Sequence, residues 1–246
     1  MGTRRSGFER YELKYHIPRT FIPDLRALIE PYAIHDPHCA DLPGNNYTVR
    51  SIYFDSEDLK FYFDKLDSVR VRKKLRVRTY NLANDAAPAF LEIKRKIGRR
   101  GLKERLMLDI AEVDGAISTA EVEDVMPGLP FLSRKVLDRF RFNLRTRDMS
   151  PVVLVVYERE AYIGRENDRY RVTFDQNIRS LINPQMEQMF VENELRQFEE
   201  ENFVLEMKFD QRMPRWMTRV VRELDLRSQS YSKYEHSIDA WTPHPH

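Results

Sequence analysis

The stretch Leu75-Arg76-Val77-Arg78-Thr79-Tyr80 alternates apolar with basic or polar residues, which is typical of a β-strand with two unlike faces. Residues 90–96 and 102–106 show a similar alternation. The joins between these stretches, residues 81–88 and 98–101, are rich in residue types that favour turns. The pattern therefore predicts three successive antiparallel strands.

Each predicted strand has one charged side and one apolar side, because residues two apart in a strand share a face. The charged sides carry Glu12 and Lys14, then Arg76, Arg78 and Tyr80, then Glu92, Lys94 and Lys96, then Lys103 and Arg105, and later Glu206 and Lys208. The opposite sides carry Leu75, Val77, Leu91, Ile93, Leu102, Leu106, Leu205, Met207 and Phe209. Residues 65–105 hold fourteen basic and four acidic side chains, although the whole chain has a formal net charge of only +2.

Two interpretations of the charged sides remain open at this point. In the first, each strand has a solvated outer face, which is the common arrangement in antiparallel sheets. In the second, the charged faces converge on a polar interior that binds a polyanion, because desolvated cations are unfavourable without partners. Arginine and lysine together suit phosphate oxygens, and sparse carboxylates such as Glu206 and Glu12 would hold a divalent cation.

The rest of the chain predicts an α+β fold with about eight antiparallel strands. Further strands are predicted at residues 11–17, 47–55, 152–163, 170–176 and 203–209. Helices are predicted at residues 23–30, from a serine cap at Ser56, over residues 111–147 with a break near 127–130, and at residues 214–224. Residues 36–46 are predicted to form a loop.

The composition indicates a folded globular protein, since 41% of the 246 residues are hydrophobic and 33% are charged. The balanced net charge gives no sign of a nucleic-acid or membrane partner. The single cysteine, Cys39, excludes an internal disulfide and a thiolate metal site, which favours a reducing compartment. The start of the chain does not resemble a signal peptide, and the longest aliphatic run, residues 152–156, is too short to span lipid. We therefore expect a cytoplasmic protein without a membrane segment of its own.

A set of short motifs, in order along the chain, resembles a known family. The motifs are Glu12-Leu13-Lys14-Tyr15, Arg50-Ser51-Ile52-Tyr53-Phe54-Asp55, Leu75-Arg76-Val77-Arg78, Leu91-Glu92-Ile93-Lys94, Tyr157-Glu158-Arg159, Arg171-Val172-Thr173-Phe174-Asp175, Leu205-Glu206-Met207-Lys208 and Tyr231-Ser232-Lys233-Tyr234. Together they resemble the VTC domain, the polyphosphate polymerase domain of the vacuolar transporter chaperone complex, which belongs to the triphosphate tunnel enzymes. The resemblance extends over residues 8–238, with residues 1–7 and 239–246 expected to be flexible termini.

The resemblance implies an antiparallel β tunnel barrel with helices packed outside and a basic lining that binds a triphosphate. It implies a metal-dependent phosphotransferase that moves the terminal phosphoryl group of ATP to polyphosphate with manganese or magnesium, with a membrane-bound partner left open. Carried over by position, the phosphate-contacting residues are Lys14, Arg76, Arg78, Lys94, Arg159, Arg171 and Lys233. Tyr157, Ser232 and Glu12 would complete the nucleotide site, and Glu206 would bind the metal.

Two departures from the family pattern keep other functions open. Hydrolytic tunnel enzymes resemble one another in a Glu-x-Glu-x-Lys first strand, whereas this chain has Arg10 at the first position, which argues against a two-metal hydrolase. The polymerase pattern has a lysine where this chain has Ser230. The alternatives are therefore a non-catalytic polyphosphate- or nucleotide-binding module and an inorganic triphosphatase. For single residues the alternatives are structural ion pairs at Lys14, Arg159 and Arg171 and an exposed Glu206–Lys208 pair.

Overall fold

The computed structural model describes residues 10–81, 87–98, 100–118 and 128–242. These residues form ten strands, which are β1 (Arg10–Pro18), β2 (Ala33–His35), β3 (Asn46–Asp55), β4 (Val71–Tyr80), β5 (Pro88–Ile97), β6 (Arg100–Asp109), β7 (Ser150–Gly164), β8 (Arg171–Ile182), β9 (Arg196–Glu199) and β10 (Asn202–Asp210). The described α-helices are α1 (Ile22–Ile29), α2 (Pro37–Ala40), α3 (Lys60–Leu66), α4 (Ile110–Ser118), α5 (Phe131–Thr146), α6 (Arg215–Glu223) and α7 (Lys233–Asp239).

The strands are hydrogen-bonded in the order β1-β10-β8-β7-β3-β4-β5-β6, with β2 beside β7 and β9 beside β8. The pairs β1–β10, β10–β8, β2–β7, β3–β4, β4–β5 and β5–β6 are antiparallel. The three predicted consecutive strands are β4, β5 and β6. The predicted α+β fold built on an antiparallel sheet is confirmed, and the short strands β2 and β9 were missed because they have too few residues to show a pattern.

The described residues divide into two compact units. The first unit comprises residues up to Tyr47, Tyr157–Ile178 and Glu199–Ser232. Its core is the apolar side of β1, β8 and β10, which includes Tyr15, Phe174 and Leu205, packed against α1 and α6. Leu25 of α1 and Met217 of α6 are fully buried in this core. The helices therefore cover one face of the sheet and leave the charged face for other contacts.

The second unit comprises Thr48–Val156, Arg179–Phe198 and the residues from Lys233 onward. Its core contains the predicted apolar sides of β4 and β5, with Leu75, Val77, Leu91 and Ile93 buried against α4 and α5. Leu106 is buried there as predicted, whereas Leu102 is 55% exposed near the start of β6. Period-two patterning thus assigned the faces of β4 and β5 correctly.

Two local predictions were wrong. Residues 36–46 contain α2, whose first turn is capped by Asp36, and a 3₁₀ turn at Pro43–Asn45. The helix predicted from Ser56 begins at Lys60, because the Asp55 carboxylate accepts hydrogen bonds from the backbone N–H groups of Phe61 and Tyr62. Ser56 Oγ also accepts from the backbone N–H of Lys60 at 3.2 Å, so Asp55 and Ser56 both cap this helix from positions before its first residue.

Some predictions fall on residues outside those described. The hairpin joins include residues 82–86 and 99, the break in the long helical stretch includes residue 127, the expected termini include residues 1–7 and 243–246, and the expected domain includes residues 8–9. Near the C-terminal end, Trp241 Nε1 donates a hydrogen bond to Ser180 Oγ at 3.0 Å.

None of the described helices has the length and apolar character needed to cross a bilayer.

Candidate functional site

A polar row crosses strands β3, β4, β5 and β6 of the second unit. The strand register places Tyr53 of β3 opposite Arg76 of β4, Arg76 opposite Glu92 of β5, and Glu92 opposite Arg105 of β6. Residues that are directly opposite in antiparallel strands project from the same face. The sequence pattern alone therefore placed these charges on one side, and the register aligned them.

The polar row is shielded from solvent although it lies on the face away from the apolar core. Arg76 is 5% exposed, Arg78 is 8% exposed and Glu92 is fully buried. The interpretation in which these charges lie on a solvated outer face is therefore wrong for these three residues. Buried charges need partners, since their desolvation costs several kcal/mol.

Each buried arginine donates to a hydroxyl of β3. Arg76 Nη1 donates to Tyr53 Oη at 3.0 Å, and Arg78 Nε donates to Ser51 Oγ at 2.9 Å. Arg76 Nε also donates to Glu92 Oε2 at 2.7 Å. Ser51 and Tyr53 are two positions apart on β3 and project from the same face, so one strand orients both guanidinium groups.

Glu92 is surrounded by basic groups. Besides Arg76, its carboxylate forms ion pairs with Lys103 and with Arg105, whose Nε lies 3.1 Å from Glu92 Oε1. Burial by itself raises the pKa of Glu92, but the charges of Arg76, Arg78 and Lys103 outweigh burial and hold the pKa far below its usual range. One carboxylate thus offsets part of a larger positive charge.

Tyr53 responds to the same positive charge. Burial raises the pKa of its phenol, but Arg76, Arg78 and Lys74 outweigh burial and lower the pKa to about 8. The positive potential on this face therefore favours any anionic group, including a phosphate oxygen.

The start of α7 lies beside Lys74 in the same unit. Lys74 Nζ is 2.9 Å from Glu235 Oε1 and lies 5.3 Å from the centre of the Tyr234 ring. Lys233 is 8% exposed at the first position of α7, and the preceding Ser232 is 9% exposed. Lys94 lies opposite Lys74 and Lys103 in the register and is exposed.

The first unit has a second polar row, in which Lys14 of β1 is opposite Glu206 of β10 and Glu206 is opposite Thr173 of β8. Glu206 is only 5% exposed, so the interpretation of an exposed Glu206–Lys208 pair is wrong. The Lys14 ammonium is 3.4 Å from Glu206 Oε1, and Lys208 Nζ donates to Glu206 Oε2 at 3.0 Å. Lys14 Nζ also donates to the carbonyl of Tyr231 at 3.1 Å.

Arg159 of β7 joins this cluster. Its Nε and Nη2 donate to the two oxygens of Asp175, each at 2.6 Å, and Nη2 lies 3.6 Å from Glu206 Oε2. Burial lowers the pKa of Arg159, but the charges of Asp175, Tyr157 and Glu206 and the hydrogen bond to Asp175 together outweigh burial and raise that pKa well above its ordinary value. The Tyr157 ring is buried, and its centre lies 5.3 Å from Arg159 Cζ.

Two other predicted site residues of the first unit, Arg171 and Glu12, form ion pairs of their own. Arg171 forms an ion pair with the buried Asp36 at the start of α2. Glu12 is exposed, and its carboxylate lies 3.4 Å from Lys14 Nζ and 3.5 Å from Lys208 Nζ. The ion pairs considered as alternatives for Lys14, Arg159 and Arg171 are all present.

Glu206 and Glu12 are the carboxylates to test against a divalent cation. Among the residues described, no three His, Cys, Asp or Glu side chains are grouped so that they could hold a metal ion. Both carboxylates contact Lys14 and Lys208, and carboxylate oxygen suits Mg²⁺ or Mn²⁺. Two carboxylates are a sparse donor set, so a cation held by them would take its remaining ligands from phosphate oxygens and water, as Mg²⁺ commonly does.

Sequence reasoning did not assign roles to several residues that complete the two rows. They are Ser51, Tyr53, Glu92, Asp175 and Thr173. Ser51 and Tyr53 are two positions apart in a predicted strand, so the sequence already indicated that they share a face. Their pairing with particular arginines was not visible, because it depends on the register between β3 and β4.

Comparison with known proteins gives a match over nearly the whole chain. The model of the family described as VTC domain matches residues 9–242. The vacuolar transporter chaperone complex subunit 4 of Schizosaccharomyces pombe is 26% identical in an alignment 208 residues long that covers 74% of this chain and 27% of that protein. The chain thus spans about a quarter of the length of this curated relative.

Two solved structures match this chain. A protein from Hippeastrum, described as a candidate adenylyl cyclase with a dominant triphosphatase activity, matches with a TM-score of 0.50 and 12% identity over 94% of this chain and 96% of its own. The PH1819 protein of Pyrococcus horikoshii matches with a TM-score of 0.47 and 15% identity over 94% and 99% of the two chains. At this identity the Hippeastrum likeness concerns the fold alone.

Proposed function

Because the chain belongs to the VTC domain family, we propose that it is a polyphosphate polymerase that transfers the terminal phosphoryl group of ATP to a polyphosphate chain. The observation that carries this proposal is the buried Arg76–Arg78 pair, oriented by Tyr53 and Ser51 beside the Glu92 carboxylate. A buried excess of positive charge with fixed donors suits a polyanion better than a neutral ligand.

In the proposed reaction, an oxygen of the terminal phosphate of polyphosphate bonds to the γ-phosphorus of ATP. The bond from that phosphorus to the β–γ bridging oxygen breaks, and ADP leaves with the electron pair. The acceptor is already an oxyanion, so no strong general base is needed. The contribution of the protein is then positioning and neutralisation of charge, which dominate phosphoryl transfer.

The named basic residues divide this work in the proposal. Arg76, Arg78, Lys94 and Lys233 of the second unit bind phosphate oxygens, as do Lys14, Arg159 and Arg171 of the first unit. Tyr157 and Ser232 complete the nucleotide contacts. A divalent cation held by Glu206 and Glu12 would neutralise further phosphate charge. Arg171 would exchange part of its ion pair with Asp36 for phosphate contacts.

The test is to incubate the purified chain with ATP and manganese or magnesium, with and without a short polyphosphate primer, and to measure polymer length by gel electrophoresis. Arg76→Ala and Arg78→Ala should each reduce polymer formation at least tenfold, since each removes a charge-assisted contact. Arg219→Ala is the matched control, because Arg219 lies on the exposed side of α6 and pairs with Glu223. Absence of polymer under all conditions, with tripolyphosphate still bound, would exclude the polymerase and leave the binding site intact.

A non-catalytic polyphosphate- or nucleotide-binding module is the second candidate, and Ser230 in place of the family lysine favours it. An inorganic triphosphatase is the third. Release of inorganic phosphate from tripolyphosphate without polymer growth would identify the triphosphatase. Binding without either product would identify the binding module.

The relative that is a subunit of a multi-protein complex supports a proposal about partners as well. We propose that this chain works with a membrane-associated partner that receives the polymer, and that it does so on the cytoplasmic side. Co-purification of tagged full-length protein from membranes, compared with the soluble fraction, tests this proposal.

A further inference from the structure

Thr173 has a buried hydroxyl that the ion pairs of the first unit do not use. Thr173 is 4% exposed, and its Oγ1 has no hydrogen-bond partner among the described residues. Buried hydroxyl groups in folded proteins nearly always have a partner, because leaving one unpaired costs free energy. The hydroxyl therefore needs an explanation.

The position of Thr173 supplies one. It lies directly opposite Glu206 in the register of β8 and β10, so its side chain projects from the same face as the Glu206 carboxylate. Its neighbours on that face of β8, two residues away on either side, are Arg171 and Asp175. Asp175 holds Arg159, which also lies 3.6 Å from Glu206. The unpaired hydroxyl thus stands within a cluster of charged groups.

We propose that the Thr173 hydroxyl is a ligand-contacting group that donates a hydrogen bond to a phosphate oxygen of a bound tripolyphosphate or polyphosphate. This inference rests on the proposed function, because it assigns a further contact to the phosphate chain that the proposal gives to Lys14, Arg159 and Arg171 of the first unit. Glu206, opposite Thr173, accepts from Lys208, and Thr173 Oγ1 has no acceptor among the described residues, so a bound anion would supply that acceptor. A hydroxyl gives a short, directional contact, which distinguishes it from the mobile ammonium groups of Lys14 and Lys208.

The inference predicts an unusual separation between stability and binding. Thr173→Val removes the hydroxyl and keeps the β-branched shape. Without ligand, this variant should unfold at a temperature no lower than that of the wild type, because no internal hydrogen bond is lost. Its affinity for inorganic tripolyphosphate should fall by about tenfold, which is the order expected for a hydrogen bond to a charged group. Thr173→Ser, which keeps the hydroxyl, should bind within about twofold of the wild type.

Thr79 provides the matched control. It is a fully buried strand threonine whose Oγ1 donates to the carbonyl of Pro88 at 3.1 Å. Thr79→Val should therefore lower the unfolding temperature and leave tripolyphosphate affinity within about twofold. Thr173→Val should lose affinity and keep its unfolding temperature, whereas Thr79→Val should do the reverse. This contrast is expected if the Thr173 hydroxyl contacts a ligand and not another part of the protein.

The measurements are isothermal titration calorimetry with inorganic tripolyphosphate and thermal unfolding without ligand, both on the full chain. If wild type and Thr173→Val bind equally well, this inference is overturned while the proposed function stands. If Thr173→Val unfolds at a clearly lower temperature, the hydroxyl has a structural partner and the inference is likewise overturned. If the wild type binds no tripolyphosphate, the proposed function itself fails, and the inference fails with it.

Discussion

Arg76 and Tyr53 lie directly opposite each other on β4 and β3, and Arg76 Nη1 donates to Tyr53 Oη at 3.0 Å. The phenol therefore faces a guanidinium group at close range in a buried position. The contact orients a proposed phosphate-binding arginine, and it also makes the phenol a reporter of the local charge.

The first prediction concerns the ionisation of Tyr53. Of the twelve tyrosines in the chain, Tyr53 should lose its proton near pH 8, since its pKa is lowered to about 8. The unfolded chain keeps this proton up to about pH 10, so Tyr53 stabilises the folded state increasingly between about pH 8 and pH 10, and that contribution is absent below pH 8. A phenolate absorbance titration of wild type and Tyr53→Phe measures this; identical curves near pH 8 would contradict it.

The second prediction concerns the effect of a bound anion on the same group. Negative charge near Arg76 and Arg78 cancels part of the field that lowers the Tyr53 pKa. Saturating tripolyphosphate should therefore move the absorbance transition to higher pH by about one unit or more. Chloride at equal ionic strength is the control for screening. A transition that tripolyphosphate leaves unchanged would show that the anion binds elsewhere.

The third prediction concerns Glu92, the carboxylate shared by Arg76, Lys103 and Arg105. Glu92→Gln leaves a buried guanidinium group without its counter-charge and should lower the free energy of unfolding by about 3 kcal/mol. Because the cations remain, tripolyphosphate should raise the unfolding temperature of this variant more than that of the wild type. Glu223→Gln, at an exposed pair with Arg219, should change stability by no more than about 0.5 kcal/mol. If Glu92→Gln and the wild type were equally stable, Glu92 would not be the counter-charge that stabilises the buried Arg76.

The fourth prediction concerns the geometry of Arg159. Its two hydrogen bonds to Asp175 require the planar guanidinium fork, which lysine lacks. Arg159→Lys should therefore weaken tripolyphosphate binding by about tenfold or more while keeping the formal charge. The matched variant Arg219→Lys should bind as the wild type does. Calorimetry on both variants decides between a requirement for geometry and a requirement for charge alone.

Several features of the fold were accessible from local patterns. Alternation at period two identified β4, β5 and β10 and assigned their faces, because side chains of a strand alternate whatever surrounds it. Local patterns failed at the start of α3, where the Asp55 carboxylate caps a helix that begins at Lys60. They also could not show that Glu206 is buried, since burial depends on what packs over a residue.

The amino-acid sequence by itself determined which residues could share a face and that a local excess of positive charge needed anionic partners, because both depend on neighbours along the chain. Only the tertiary structure decided the pairings. Arg76 pairs with Glu92, Arg171 pairs with Asp36 from 135 positions away, and Thr173 lies opposite Glu206 with a hydroxyl that has no partner among the residues described. Register between distant strands is set by the packing of whole faces, and a shift of one residue would break the pairing of Arg76 with Glu92 and of Thr173 with Glu206.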